Sequence, residues 1–145
     1  MATVRDMIRK KGSDVFAITP EATVYEALAS MAKHNTGALL VMRDNDMVGI
    51  LSERDCVRKV ELKEKTAKDT KVSEIMTSDV ITVHCDQPLE ECMSLMLDKG
   101  IRHLPVYDDN ELMGFVSVRD VLREMIEMQQ IMLSQLERYI TGSGR

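Results

Sequence analysis

Two short stretches, Ser52-Glu53-Arg54-Asp55 and Ser117-Val118-Arg119-Asp120, present a hydroxyl, a guanidinium and a carboxylate in the same order. Each follows an apolar run that reads as a strand and opens a helical pattern, so the Ser and the Asp fall at a helix N-terminus. Free N–H groups and the macrodipole favour an anion such as phosphate there. A carboxylate at such a junction can accept both hydrogens of a sugar diol, and hydrogen bonds to a charged acceptor contribute about 1.5–3 kcal/mol each. Arg54 and Arg119 precede the acids and are candidates to reach phosphate. Arg58 and Arg123 follow the acids by three residues, where a helical Asp/Arg pair is the simpler role. The plainer reading of Ser-x-x-Asp is an N-cap serine with an acid in the first turn, which stabilises a helix and binds nothing. Capping and binding can coexist.

The elements that must hold these residues are duplicated. Val15–Val60 aligns without a gap on Val80–Met125, with identical pairs that include Glu26/Glu91, Met31/Met96, Leu39/Leu104, Val41/Val106, Gly49/Gly114 and Ser52/Ser117. In the first copy Val15–Ile18 reads as a short strand. Thr23 and Glu26 make a capping box for a helix with apolar residues at Val24, Leu28, Met31 and Ala32, closed by Asn35 and Gly37. Ala38–Met42 and Met47–Leu51 are apolar runs joined by the turn-rich Arg43-Asp44-Asn45-Asp46, a hairpin pattern. Ser52 then caps a second helix. The second copy repeats every step: strand Val80–Val83, helix through Leu89, Met93, Met96 and Leu97, strands Leu104–Tyr107 and Leu112–Val116, helix from Val118. Each unit is βαββα. Glu61–Lys71 is a charged, solvated connection that could extend the first copy's last helix. Val72–Met76 echoes Val4–Ile8 as a helical lead-in placed before each unit.

Composition narrows the function classes. With 44% hydrophobic and 30% charged residues the chain is an ordinary globular sequence. No apolar run approaches the roughly 20 residues needed to span a bilayer. The start, Met1 to Asp6, lacks the apolar stretch of a secretory signal and its early Asp is unlike a transit peptide, so a cytoplasmic protein is expected. A net charge of −5 and only 3% aromatic residues oppose binding to duplex or single-stranded nucleic acid. Cys56, Cys85 and Cys92 form no Cys-x-x-Cys and read as small buried hydrophobes. His34, His84 and His103 with these cysteines show no metal-ligand spacing. Ser117, His103 and Asp120 lack a Gly-x-Ser-x-Gly elbow, so hydrolysis is not expected and the chain is read as no enzyme.

Gly49-Ile50-Leu51-Ser52-Glu53-Arg54-Asp55 and Gly114-Phe115-Val116-Ser117-Val118-Arg119-Asp120, with Gly100-Ile101-Arg102-His103-Leu104-Pro105-Val106, resemble the CBS domain family over nearly the whole chain. The resemblance implies an α/β (α+β) fold of two βαββα repeats, 1–62 and 63–141, packed sheet to sheet with pseudo-two-fold symmetry. Residues 142–145 read as a disordered tail. It also implies two clefts for an adenosine-containing ligand, with AMP, ATP, NAD and S-adenosylmethionine as family ligands, and no required cofactor. Arg102 and His103 border the second site, Arg102 with phosphate-matching geometry and His103 as a donor when protonated. In the first copy Gly37, Ala38 and Leu40 stand where the second has Arg102, His103 and Pro105, so the two sites are expected to differ. Family analogy nominates Phe16 for the cleft of Asp120 and Ile81 for that of Asp55; both are also explicable as core.

From Val118 to Ile140 no residue breaks the last helix, which gives roughly 35 Å at about 1.5 Å per residue. Met125, Met128, Met132, Leu136 and Tyr139 recur at three- and four-residue steps, a stripe suited either to its own module or to another helix. The expected protein is a homodimer through CBS faces and this helix, sensing an adenine nucleotide for an unknown effector protein. The competing expectation is a ligand-independent interaction module.

Overall fold

A computed structural model describes residues 2–142; Met1 and residues 143–145 of the expected tail lie outside the described residues. The chain forms α1 (Val4–Lys11), β1 (Ala17–Ile18), α2 (Val24–His34), β2 (Ala38–Arg43), β3 (Asp46–Ser52), α3 (Glu53–Lys59), α4 (Val72–Ile75), β4 (Val83–His84), α5 (Leu89–Lys99), β5 (His103–Asp108), β6 (Glu111–Ser117) and α6 (Val118–Thr141). Two three-stranded sheets result, ordered β1-β2-β3 and β4-β5-β6. Among the described residues no helix is long and apolar enough to cross a membrane.

The chain divides into two compact units, Asp14–Ile81 and Met1–Ser13 with Thr82–Arg145. In the first, β1 runs parallel to β2 with Ile18 opposite Val41, and β2 pairs antiparallel with β3 from Ala38/Ser52 to Arg43/Asp46. The hairpin turns at Asp44, a left-handed residue with φ 56°, a conformation that Asp tolerates because its short side chain bonds locally. Thr23 and Glu26 form the expected capping box, and Asn35 ends α2 at φ 50°. Val24, Met31, Leu39, Val41, Leu51, Cys56 and Val72 fill the core between sheet and helices.

The second unit repeats this plan, with Val83 opposite Val106 and His103–Asp108 paired to Glu111–Ser117. Its strand is shorter than the predicted Val80–Val83 and begins only at Val83, because Val83 and His84 are the residues that meet Val106 and Tyr107 of β5. The predicted extension of α3 into Glu61–Lys71 also differs. The helix ends at Lys59, and two 3-10 turns, Glu61–Lys63 and Ala67–Asp69, follow. The buried Thr70 hydroxyl donates to the Thr66 carbonyl at 2.7 Å and ties that turn down.

The two lead-in helices dock in matching ways. Val24 N–H donates to Thr70 O and Val72 N–H to Ala22 O, both at 2.8 Å, which fixes α4 beside the start of α2. Val4 N–H donates to Gln87 O at 3.0 Å and Leu89 N–H to Ala2 O at 3.3 Å, which fixes α1 beside the start of α5. Val4, Met7 and Ile8 are buried there. The compact units do not follow the order of the sequence: α1, which lies ahead of the first βαββα copy, packs with the second copy, and α4, which lies ahead of the second, packs with the first.

The repeat-equivalent glycines Gly49 and Gly114 illustrate the difference between the units. A Cβ on Gly49 would lie 2.7 Å from Met76 Sδ and 2.9 Å from the Thr77 carbonyl oxygen, whereas the nearest neighbour of one on Gly114 would be the Ile8 side chain, at 3.2 Å from Cδ1. Thr77 is fixed by two 2.9 Å backbone hydrogen bonds with Ile50 and has little freedom to retreat. Gly49→Ala is expected to lower stability by about 1–3 kcal/mol and Gly114→Ala by less, as read from urea unfolding midpoints.

Candidate functional site

In both units the second hairpin strand runs directly into a helix, at Ser52/Glu53 and at Ser117/Val118. Asp55 N–H donates to Ser52 Oγ at 3.2 Å, and Asp55 Oδ2 accepts from Ser52 N–H and Oγ–H, both at 3.1 Å. Asp120 N–H donates to Ser117 Oγ at 3.1 Å, and Asp120 Oδ2 accepts from Ser117 N–H at 2.8 Å. Capping boxes, the plainer of the two readings, are therefore present at both junctions. A carboxylate offers about four acceptor positions, so capping does not saturate either Asp.

The start of the neighbouring strand closes each junction. Glu53 N–H donates to Gly37 O at 3.0 Å and Val118 N–H to Arg102 O at 2.8 Å, while Ala38 pairs with Ser52 and His103 with Ser117. Gly37, Ala38, Ser52 and Asp55 thus gather in one unit, and Arg102, His103, Ser117 and Asp120 in the other. Arg54, Arg102 and Arg119 are exposed and form no ion pair among the described residues. Phe16 and Ile81, both half-buried, belong to the Asp14–Ile81 unit. Phe16 packs against that unit's core and stacks on His34 with ring centroids 4.1 Å apart.

The two carboxylates have different cationic partners. Asp55 Oδ1 lies 3.2 Å from Lys59 Nζ, one helical turn on, and Lys59 also donates to Ile75 O at 3.0 Å. Lys59, not Arg58, therefore fills the expected helical role, because residues four apart on a helix lie on the same face. Asp120 is met from α1: Lys11 Nζ donates to Asp120 Oδ2 and to Phe115 O, each at 2.9 Å. Burial pushes the Asp120 carboxyl up, but Lys11 and the Ser117 donors outweigh it and hold the group below its ordinary value.

His103 stacks on Phe115 with centroids 5.4 Å apart. Burial pushes its ring below the usual imidazole value; Asp120 pulls it back up, and Lys11 and Arg102 push it further down. The neutral imidazole is therefore the favoured form at pH 7, and it stacks on Phe115. Its contribution to stability is complete above the unfolded value near 6.5 and is lost as pH falls from there through the folded value. In an NMR titration, Lys11→Met is expected to raise the His103 midpoint and Asp120→Asn to lower it further.

Sequence reasoning missed three features. Lys59 had a signal, the i,i+4 spacing from Asp55. Lys11 had none, since nothing local assigns α1 to this unit. The third is a group of ligand atoms from His84, Cys85 and Asp108 that lie within 4.8 Å of one another and could hold a metal ion, although no ligand spacing marks them. Pairing of β4 with β5 brings them together, and Arg5 already supplies a cation there. Its Nη2 lies 2.8 Å from Cys85 Sγ and 3.3 Å from Asp108 Oδ2, and its Nε donates to Asp86 at 3.2 Å.

This repeated architecture has known counterparts. The CBS domain family matches residues 4–62 and 72–127. CBS domain-containing protein CBSX3, mitochondrial, from Arabidopsis thaliana is 37% identical over 149 residues, which cover 97% of this chain and 72% of that protein. A solved CBS domain structure, NE2398, is 45% identical with a TM-score of 0.83, covering 86% of this chain and 98% of its own. The solved CBS domain pair of protein MJ0100, in complex with 5'-methylthioadenosine and S-adenosyl-L-methionine, is 25% identical with a TM-score of 0.76, covering 88% of this chain and 98% of that one. The chain belongs to the CBS domain family. CBS pairs are regulatory, ligand-binding modules.

Proposed function

We propose that the chain binds an adenosine-containing ligand, AMP, ATP or NAD, at its strand-to-helix junctions, and that it acts without catalysis as a cytoplasmic homodimeric sensor for an effector protein. The observation that carries this reading is the duplicated junction itself. In each unit a Ser and an Asp at a helix N-terminus adjoin the start of a neighbouring strand, with acceptor capacity left on the carboxylate. Lys11, Arg102 and Arg119 give the second junction the richer cationic surround, which favours a phosphorylated ligand there over a bare nucleoside. The first junction has Gly37 and Ala38 in place of Arg102 and His103 and is expected to bind more weakly. The adenosine ligands of the MJ0100 pair support the choice of ligand class.

A sensor works only if its ligand distinguishes two arrangements of the protein, because equal affinity shifts nothing. Calorimetry with AMP, ATP, NAD, S-adenosylmethionine and adenosine tests the proposal. AMP binding tighter than adenosine, with one site stronger than the other, is the expected result. No binding tighter than about millimolar would sink it and leave the ligand-independent interaction module, which the exposed apolar surface of α6 favours.

A further inference from the structure

Helix α6 spans 24 residues, yet only Val121 and Glu124 are buried, and Glu124 is held there by Lys10 of α1 at 2.8 Å. From Gln129 to Thr141 every residue is exposed. Free helices shorter than about 12–15 residues are marginal in water, so this segment needs a packing partner. Of the predicted stripe Met125, Met128, Met132, Leu136 and Tyr139, Met125 and Met128 are half-buried near Val121, so that stripe is open at its far end, Met132, Leu136 and Tyr139, and not along its length. A second stripe lies roughly 100° round the helix: Leu122, Ile126, Gln129, Leu133, Leu136 and Ile140, alternating in steps of four and three. Leu122 and Ile126 are 50% and 46% exposed, and Leu133, Leu136 and Ile140 are 60%, 51% and 80% exposed. The spacing is that of a coiled-coil seam.

The flanks of the seam say what covers it. On one side stand Arg123, Gln130 and Glu137, none of them ion-paired among the described residues, and on the other Met125, Met132 and Tyr139. From this self-complementary pattern we infer that α6 pairs antiparallel with α6 of a second copy of this chain. Leu122 then faces Ile140 of the second copy, Ile126 faces Leu136, and Gln129 faces Leu133. Arg123 meets Glu137 twice across the two-fold axis and Gln130 meets itself. A parallel, in-register pair would put Glu137 beside Met132 and Arg123 beside Val118, and would leave both charges without a partner. The inference rests on the homodimer reading above and adds its orientation; it does not depend on any nucleotide.

Disulfide trapping of the full chain tests it, since Cys56, Cys85 and Cys92 are buried and give little background. Gln130→Cys is expected to cross-link to itself on oxidation. Arg123→Cys and Glu137→Cys are expected to cross-link to each other when mixed, and neither to itself. Absence of these links, or self-linking of either flank variant, overturns the arrangement. As a second measure, Arg123→Glu should weaken dimerisation several-fold in sedimentation and Glu137→Arg in the same chain should restore it; no restoration also overturns it. Calorimetry with AMP on the same variants separates the two readings, because lost AMP binding with intact cross-links sinks only the ligand assignment.

Discussion

Asp120→Ala is expected to weaken AMP binding at the second junction by roughly ten- to hundredfold, the equivalent of one hydrogen bond to a charged acceptor, while the weaker site keeps its affinity. The variant also removes half of a capping box, so affinity and helix stability must be separated. Ser117→Ala does this: it deletes the acceptor for Asp120 N–H and costs about 1 kcal/mol of stability, yet leaves the carboxylate in place. If Asp120 touches ligand, Ser117→Ala lowers the unfolding midpoint with a far smaller loss of affinity than Asp120→Ala. Equal affinity in the two variants would mean that the acid only caps. Lys11→Met adds a third arm, since removing that cation should weaken AMP while adenosine, which has no phosphate, is little changed. The pH dependence has a definite sign. Because the Asp120 carboxyl is held below its ordinary value, its contribution to stability is complete above the unfolded value near 3.9 and is lost as pH falls through the folded value. Asp120→Asn should therefore show less acid-side loss of stability than the parent chain.

The parts of this molecule that were legible from sequence are those fixed within one helical turn or one hairpin. Thr23 with Glu26, Ser52 with Asp55 and Ser117 with Asp120 are capping boxes because three residues suffice to make one. Asn35 stops α2 for an equally local reason. What was not legible depends on pairing at a distance. The cluster of His84, Cys85 and Asp108 exists because β4 lies parallel to β5, and no spacing along the chain encodes it. On α6 two apolar stripes compete, and Met125 and Met128 of one turn partly inward beside Val121 because α6 packs there against both α5 and α1, elements far away in sequence. Lys11 reaches Asp120 for the same reason, so the cation that most alters the second junction was hidden by the same gap: the echo between α1 and α4 revealed two lead-in helices but not their destinations.

That exchange of destinations yields the largest expected effect on stability. Val4 is fully buried in α1, and with Met7 and Ile8 it supplies three apolar side chains to the unit of Thr82–Arg145. Burial of each contributes about 1.5–3 kcal/mol as an upper estimate, and together they approach the 5–15 kcal/mol that holds a typical domain folded. Val4→Asp places a carboxylate in that apolar site and should cost several kcal/mol. Amide hydrogen exchange then localises the damage. Leu104, Val106 and Val116 of the second sheet should lose protection, whereas Leu39, Val41 and Leu51 of the first should lose much less. Val72→Asp, at the equivalent buried position of α4, should do the reverse. Each variant sits in the lead-in of one repeat and is expected to loosen the other. If Val4→Asp instead loosens β2 and β3, α1 serves the repeat that follows it in sequence, and the contact of Lys11 with Asp120 falls with that assignment.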